Sequence, residues 1–157
     1  MMTTTTVVYH VARPRDLPEI LRLRTDNLRR YADRGAPTLT PDRETITART
    51  REAMDSQFAK CYVALDGERV VGCLMLKLLL SPLNQHQIIA VQEVFVVDPA
   101  YRGAGIGGQL LQRGEQWAKD NGAAAVLCLY RADEPHEAWF TDRGYVPLET
   151  YVVKPVR

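Results

Sequence analysis

The chain has 157 residues and a mass of 17.7 kDa, one domain's worth of material, enough to bury on the order of 70% of its unfolded surface in a single core. Hydrophobic residues make up 46% and charged residues 25%, which argues against disordered, collagen-like and tail-dominated classes. Lys plus Arg number 20 against 19 Asp plus Glu, and a net charge of +1 gives no reason to expect a nucleic acid or a membrane surface as partner.

Residues 5–12 alternate as a strand does, and Pro14 stops it. Leu17, Ile20, Leu21, Leu23, Leu28 and Tyr31 recur at spacings of three and four, which predicts an amphipathic helix over 17–31, ended by Gly35 and Pro37. Thr40 and Pro41 offer an N-cap and a first-turn proline for a second, more polar helix through Gln57. Residues 61–65 and 70–80 read as strands around Asp66-Gly67, a strong hairpin signal, so the pairing there should be antiparallel. Gln87 to Val97 is a third Val- and Ile-rich run, closed by Asp98-Pro99. Helical spacing then resumes at Ile106, Leu110, Leu111 and Trp117, with Asn121-Gly122 as the stop. Ala123 to Tyr130 is a buried strand, Pro135 to Asp142 a short helix and Val146 to Val153 a last strand, whose exposed edge could pair with a second copy of the chain. The order predicts one α+β domain over 1–157, with a mixed, mostly antiparallel sheet of about six strands and four helices, and no repeat or linker.

The longest apolar stretch, Val70 to Leu80, is interrupted by Lys77 and falls short of the roughly 20 residues a bilayer requires. Met1 to Thr6 has neither the basic start nor the apolar block of a secretory signal, which points to the cytoplasm. Cys61, Cys73 and Cys128 are odd in number and set singly among apolar neighbours. They are expected to be buried reduced thiols, with no disulfide framework and no metal site.

The most informative segment runs from Val96 to Gly108, a strand passing through a short loop into a helix with four glycines at the junction. The first N–H groups of a helix lack internal partners and carry the positive end of its dipole, so such a junction forms an anion cradle that glycine lets a ligand approach. Arg102 can add a charge-assisted contact. Gly103, Gly105 and Gly108 fit the dinucleotide-binding spacing, but they follow a hairpin, with only 49 residues after Gly108, where that fingerprint belongs to the first strand of a long parallel series. No Lys-Ser or Lys-Thr follows, which removes a P-loop.

The same residues spell Arg-x-x-Gly-x-Gly at Arg102, Gly105 and Gly107, followed by Leu110-Leu111, and this resembles the acetyl-CoA-binding motif of the GCN5-related N-acetyltransferase (GNAT) superfamily. The resemblance implies acetyl-CoA as cosubstrate, without a metal. Its pyrophosphate would lie on the backbone of Arg102, Gly103, Ala104, Gly105, Ile106, Gly107 and Gly108, and its pantetheine arm along Phe95, Val96 and Val97. The order of elements fits that fold along nearly the whole chain.

Acetyl transfer to an amine needs a base, because a lysine-like ammonium has a pKa of about 10.4. Glu93, four residues before Val97 on the same strand, is the candidate, with a solvent-facing carboxylate and a water relay as the alternative. A backbone N–H near Val97 would polarise the thioester carbonyl. Where the family often places a proton-donating tyrosine, this chain has Phe140, which cannot donate and is expected to pack beside the cosubstrate. Water, Tyr130 or His136 would then assist the leaving thiolate. The acceptor should enter between the two early helices and the 81–87 loop, where Asp26, Tyr31 and Asp33 can attract an amine. A likeness of residues 86–103 to aminoalkylphosphonate acetyltransferases favours a small amine over a protein lysine. An alternative reading, motivated by Phe140, is a CoA-binding sensor without turnover.

Overall fold

The computed structural model describes residues 6–32, 41–130, 136–149 and, singly, 152, 154 and 156. Its elements run in the order β1 (Val8–Val11), α1 (Leu17–Ala32), α2 (Arg43–Asp55), β2 (Ala59–Asp66), β3 (Arg69–Leu80), β4 (Ile88–Val97), α3 (Ile106–Asp120), β5 (Ala123–Leu127) and α4 (Glu137–Thr141). Short 3₁₀ turns at Pro14–Asp16 and Pro99–Tyr101 precede α1 and follow β4. The sheet order is β1-β2-β3-β4-β5, antiparallel throughout except for the parallel β4–β5 pair.

From Val70 to Leu76 the central strand β3 is buried on both faces, which is why that stretch reads as an unbroken apolar run before Lys77. Cys73 and Met75 face Ile20 and Leu23 of α1, whereas Leu74 and Leu76 face Ile106, Leu110 and Trp117 of α3. Helix α3 lies so close to the sheet that a methyl on Gly114 would stand 2.7 Å from Leu74 Cδ2 and 2.8 Å from Leu76 Cδ1. The predicted hairpin closes at Asp66 and Arg69, with Gly67 at φ +60°, a left-handed conformation that glycine adopts without cost.

Several boundaries differ from the sequence expectation. Helix α2 is capped by Asp42, whose carboxylate accepts from the Thr45 amide at 2.8 Å, so Pro41 precedes the helix; Thr40 lies outside the described residues. A carboxylate two residues beyond Thr40 outcompetes the Thr-Pro signal. Strand β5 ends at Leu127 rather than Tyr130, and among the described residues the sheet has five strands, close to the six expected. Of the last predicted strand, residues 146–149 are irregular and 150, 151 and 153 lie outside the described residues. Cys61 and Cys73 are buried free thiols as expected but not isolated from one another: β2–β3 pairing brings their Sγ atoms to 3.7 Å. Cys128 is partly buried. Among the described residues no helix is long and apolar enough to cross a membrane, and no His, Cys, Asp and Glu group could hold a metal ion.

Two irregularities of β4 open the site. The β3–β4 register passes from Met75↔Val94 to Leu76↔Gln92, so Glu93 is the extra residue of a β-bulge. The β4–β5 pairing covers only Ile88 to Val91, after which the two strands part. The edge of β4 from Gln92 to Val97 therefore has no strand beside it on the β5 side among the described residues.

Candidate active site

A cavity of about 610 Å³ occupies the gap, bordered by α1, the second half of β4, the glycine loop, the start of α3 and α4. Its floor is built by the loop from Asp98 to Gly105. Asp98 is nearly buried; its Oδ1 accepts from the Ala100 amide at 3.0 Å and its Oδ2 from Arg69 Nη2 at 2.9 Å. Burial acts to raise the Asp98 pKa, but the Arg69 hydrogen bond, the Ala100 amide and the nearby Arg charges outweigh it and hold the carboxyl below its ordinary value. Tyr101 Oη donates to Asp66 Oδ2 at 2.6 Å, tying the same loop to the hairpin.

From this anchored start the chain reaches α3 through Gly103 at φ +82° and Gly105 at φ +81°, conformations that turn the backbone under the helix end and suit only glycine well. The amides of residues 103–108 donate to no backbone acceptor among the described residues, and the first amide of the series to do so is Gln109, to Gly105 O at 3.1 Å. A methyl on Gly107 would stand 3.5 Å from Trp139 and 3.6 Å from Phe95, in the space the cavity occupies. Two guanidinium groups flank these amides. Arg102 Nε reaches Val97 O at 3.4 Å, and Arg143 lies with Cζ 3.7 Å above the Trp139 ring, its Nη2 3.3 Å from where a Gly108 methyl would be. Unpaired amides, a helix N-terminus and two cations fit a diphosphate.

Along β4 the cavity wall becomes aromatic. Phe140 is 6% exposed, edge-on to Trp139 at 5.0 Å between centroids, to Tyr145 at 5.3 Å and to Phe95 at 6.4 Å, and stacked on Tyr130 at 5.8 Å. The Tyr130 phenol is exposed and borders the cavity; burial and the Glu137 carboxylate 3.4 Å away raise its pKa, so it is protonated at neutral pH. Tyr145 lies outside the lining and donates to Glu115 Oε1 at 2.8 Å. At the far end, Glu93 is exposed to the cavity. The bulge takes Glu93 out of simple alternation with Phe95 and Val97, and its carboxylate lies near enough to Arg24 of α1 to favour that residue's charge.

Of the residues singled out from the sequence, Glu93, Phe95, Val96, Val97, Arg102, Gly103, Gly105, Ile106, Gly107, Gly108 and Phe140 all line this one cavity, and Ala104 is exposed beside it. The Val96 side chain belongs to the core on the α1 side. His136 also lines the cavity. The expected acceptor entrance needs correction: α1 contributes Arg24, Asn27 and Leu28, but neither α2 nor the 81–87 loop reaches the lining. Asp26 is outside it, paired with Arg22 at 3.6 Å and Arg29 at 3.9 Å, because the helix turns it to the solvated face. The Tyr31 side chain and Asp33 lie outside the described residues. Arg24, Gln92, Trp139 and Arg143 were not singled out as site residues. Only the four-residue spacing of Trp139 and Arg143, which stacks one on the other in a helical turn, left a trace in the sequence.

No curated protein sequence matches the chain significantly. Among solved structures, one of a transcriptional regulator from Bacillus halodurans C-125 is similar, with TM-score 0.73 and 23% identity over 97% of this chain and 100% of that one. Glucosamine-6-phosphate N-acetyltransferase from Arabidopsis thaliana superposes with TM-score 0.74 at 13% identity, covering 97% and 99%. An aminoglycoside acetyltransferase from an uncultured soil metagenomic sample does so with TM-score 0.66 at 18% identity, covering 96% and 95%. These likenesses concern the fold. The sequence itself matches the acetyltransferase (GNAT) family over residues 19–145, the span holding the bulged strand, the orphan amides and the aromatic wall, and the chain is therefore a member of that family and an acetyltransferase.

Proposed function

We propose that the protein, as a single domain over 1–157, transfers acetyl from acetyl-CoA to the primary amine of a small molecule by direct attack within a ternary complex. The observation that carries this reading is the run of amides at 103–108 without backbone acceptors, flanked by Arg102 and Arg143 and opening on the unpaired edge of β4. Those amides and guanidinium groups bind the diphosphate; the free edge of Gln92–Val97 offers N–H and C=O groups to an extended amide-bearing arm. The arm would bring the thioester toward Glu93, which accepts a proton from the incoming ammonium so that neutral nitrogen attacks. A C–N bond forms, the C–S bond breaks, the attacking nitrogen sheds its second proton to solvent, and the thiolate takes a proton. Phe140 cannot supply that proton, whereas the protonated Tyr130 phenol stacked on it can. The folds shared with an aminoglycoside acetyltransferase and a glucosamine-6-phosphate N-acetyltransferase support a small-molecule amine as acceptor.

Initial-rate kinetics test the proposal. Intersecting double-reciprocal lines for acetyl-CoA and amine are expected, and parallel lines would overturn direct attack. A second reading, favoured by Phe140 at the customary donor position, is a CoA-binding module without turnover. Calorimetric binding of acetyl-CoA with no thiol release across a broad amine panel would establish it instead.

A further inference from the structure

The end of the cavity away from the diphosphate cradle holds a cation that the acetyl-transfer reading does not use. Arg24 projects from α1 beside Asn27, and its Nη1 donates to Thr50 Oγ1 at 2.5 Å. Thr50 is fully buried and its hydroxyl donates a hydrogen bond to Ile46 O at 2.6 Å, so the acceptor oxygen that holds Arg24 is fixed in place. Among the described residues this is the only hydrogen bond Arg24 makes, and no carboxylate forms an ion pair with it. The guanidinium is partly buried over the Cys61 and Cys73 thiols; burial lowers its pKa, yet an arginine keeps its charge. A partly desolvated cation whose one hydrogen bond among the described residues is to a neutral hydroxyl, with the Glu93 carboxylate near but not bonded to it, leaves N–H groups that a ligand anion can complete.

The diphosphate does not answer that need. Arg102 and Arg143 serve the cradle beyond Val97, and four residues of β4 separate Val97 from Glu93, about 13 Å along a strand. Glu93 is the sole carboxylate among the cavity-lining residues, so Arg24 and Glu93 present adjacent positive and negative groups to whatever enters. We propose that the acceptor is a primary amine that also bears an anionic group, carboxylate or phosphonate, a few bonds away, the anion held by Arg24 and the amine directed to Glu93. The inference rests on the acetyl-transfer reading above and narrows its acceptor. It also predicts discrimination: a purely cationic amine, such as a polyamine, would bring positive charge against Arg24.

Matched pairs test this with the unmodified enzyme, thiol release being measured at equal free-amine concentration. The pairs are β-alanine against its carboxamide and 2-aminoethylphosphonate against ethanolamine, with spermidine as a cationic comparison. At least one anionic member should exceed its neutral partner in kcat/KM by roughly 10- to 100-fold, and the better pair identifies the anion. In Arg24→Gln the ratio within the preferred pair should collapse toward one, and Arg24→Lys, which keeps charge but loses the fork, should be intermediate. Calorimetry of the N-acetylated products in the presence of CoA should give the same contrast without turnover. Equal kcat/KM within both pairs, faster reaction of spermidine, or a preference that survives Arg24→Gln would overturn the inference and leave acetyl transfer standing. Acetyl-CoA that fails to bind, with no amine acetylated, would remove both.

Discussion

Gly107→Ala separates the cradle from the fold more cleanly than any other change. Gly107 is in the first turn of α3 with no left-handed φ, and an added methyl would meet Trp139 at 3.5 Å, Phe95 at 3.6 Å and Val97 at 3.8 Å, all ordinary contacts. The protein should accept it, and replacing glycine in a helix gains about 0.5–1 kcal/mol, worth a rise in Tm of about 2 °C at this size. The same methyl stands where the cavity reaches the amides. Keeping one phosphate oxygen from its charge-assisted bond costs about 1.5–3 kcal/mol, a loss of acetyl-CoA affinity of roughly 10- to 150-fold. Calorimetry and thermal melting on one preparation measure both. Wild-type affinity at raised or unchanged Tm would refute the cradle, because the methyl would then occupy space no ligand uses. Gly114→Ala is the comparison: on the same helix, with contacts of 2.7 and 2.8 Å to Leu74 and Leu76, it should lower Tm by about 2–4 °C and leave acetyl-CoA affinity unchanged.

Glu93→Gln should reduce kcat by about 10²-fold or more at neutral pH, with the deficit shrinking as pH rises toward the amine's own pKa; a deficit that stays constant with pH would exclude a base role. Tyr130→Phe should lower kcat by roughly 10-fold or more while acetyl-CoA affinity holds, and an unchanged kcat would leave protonation of the thiolate to water. Asp98 has a folded pKa below its ordinary 3.8, so its contribution to stability is fully present above that value and is lost as pH falls through the lower folded one. Asp98→Asn should therefore melt a few degrees lower at pH 7 and show a weaker fall in Tm below about pH 4; parallel pH profiles for the two proteins would refute the role given to the Arg69 pair.

The cradle was legible because its parts are contiguous. A strand, a turn and a helix start follow one another from Val96 to Gly108, and the chemistry of a helix N-terminus depends on the local backbone alone. Glycine content was readable, but the reasons for individual glycines were not. Gly103 and Gly105 serve positive φ, Gly107 and Gly108 border the cavity, and Gly72 and Gly114 let α3 approach the sheet, as a methyl at Gly72 would stand 2.9 Å from Ile106 and Leu110. Glu93 was found by its distance along the strand, but not its place in a bulge, since a bulge is a mismatch between two strands and leaves no mark on one.

By itself the sequence determined the α+β order, the β2–β3 hairpin and the glycine-rich junction between a strand and a helix, all consequences of neighbours along the chain. Tertiary structure alone decided which side chains share the cavity. The parting of β4 from β5 created it, and packing brought Arg24 of α1, Tyr130 beyond β5 and Arg143 beyond α4 to its walls. Cys61 and Cys73 met in the same way, across a strand pair. Such meetings depend on register and on how helices lie against a sheet, and those are set by the whole core together, not by any one segment.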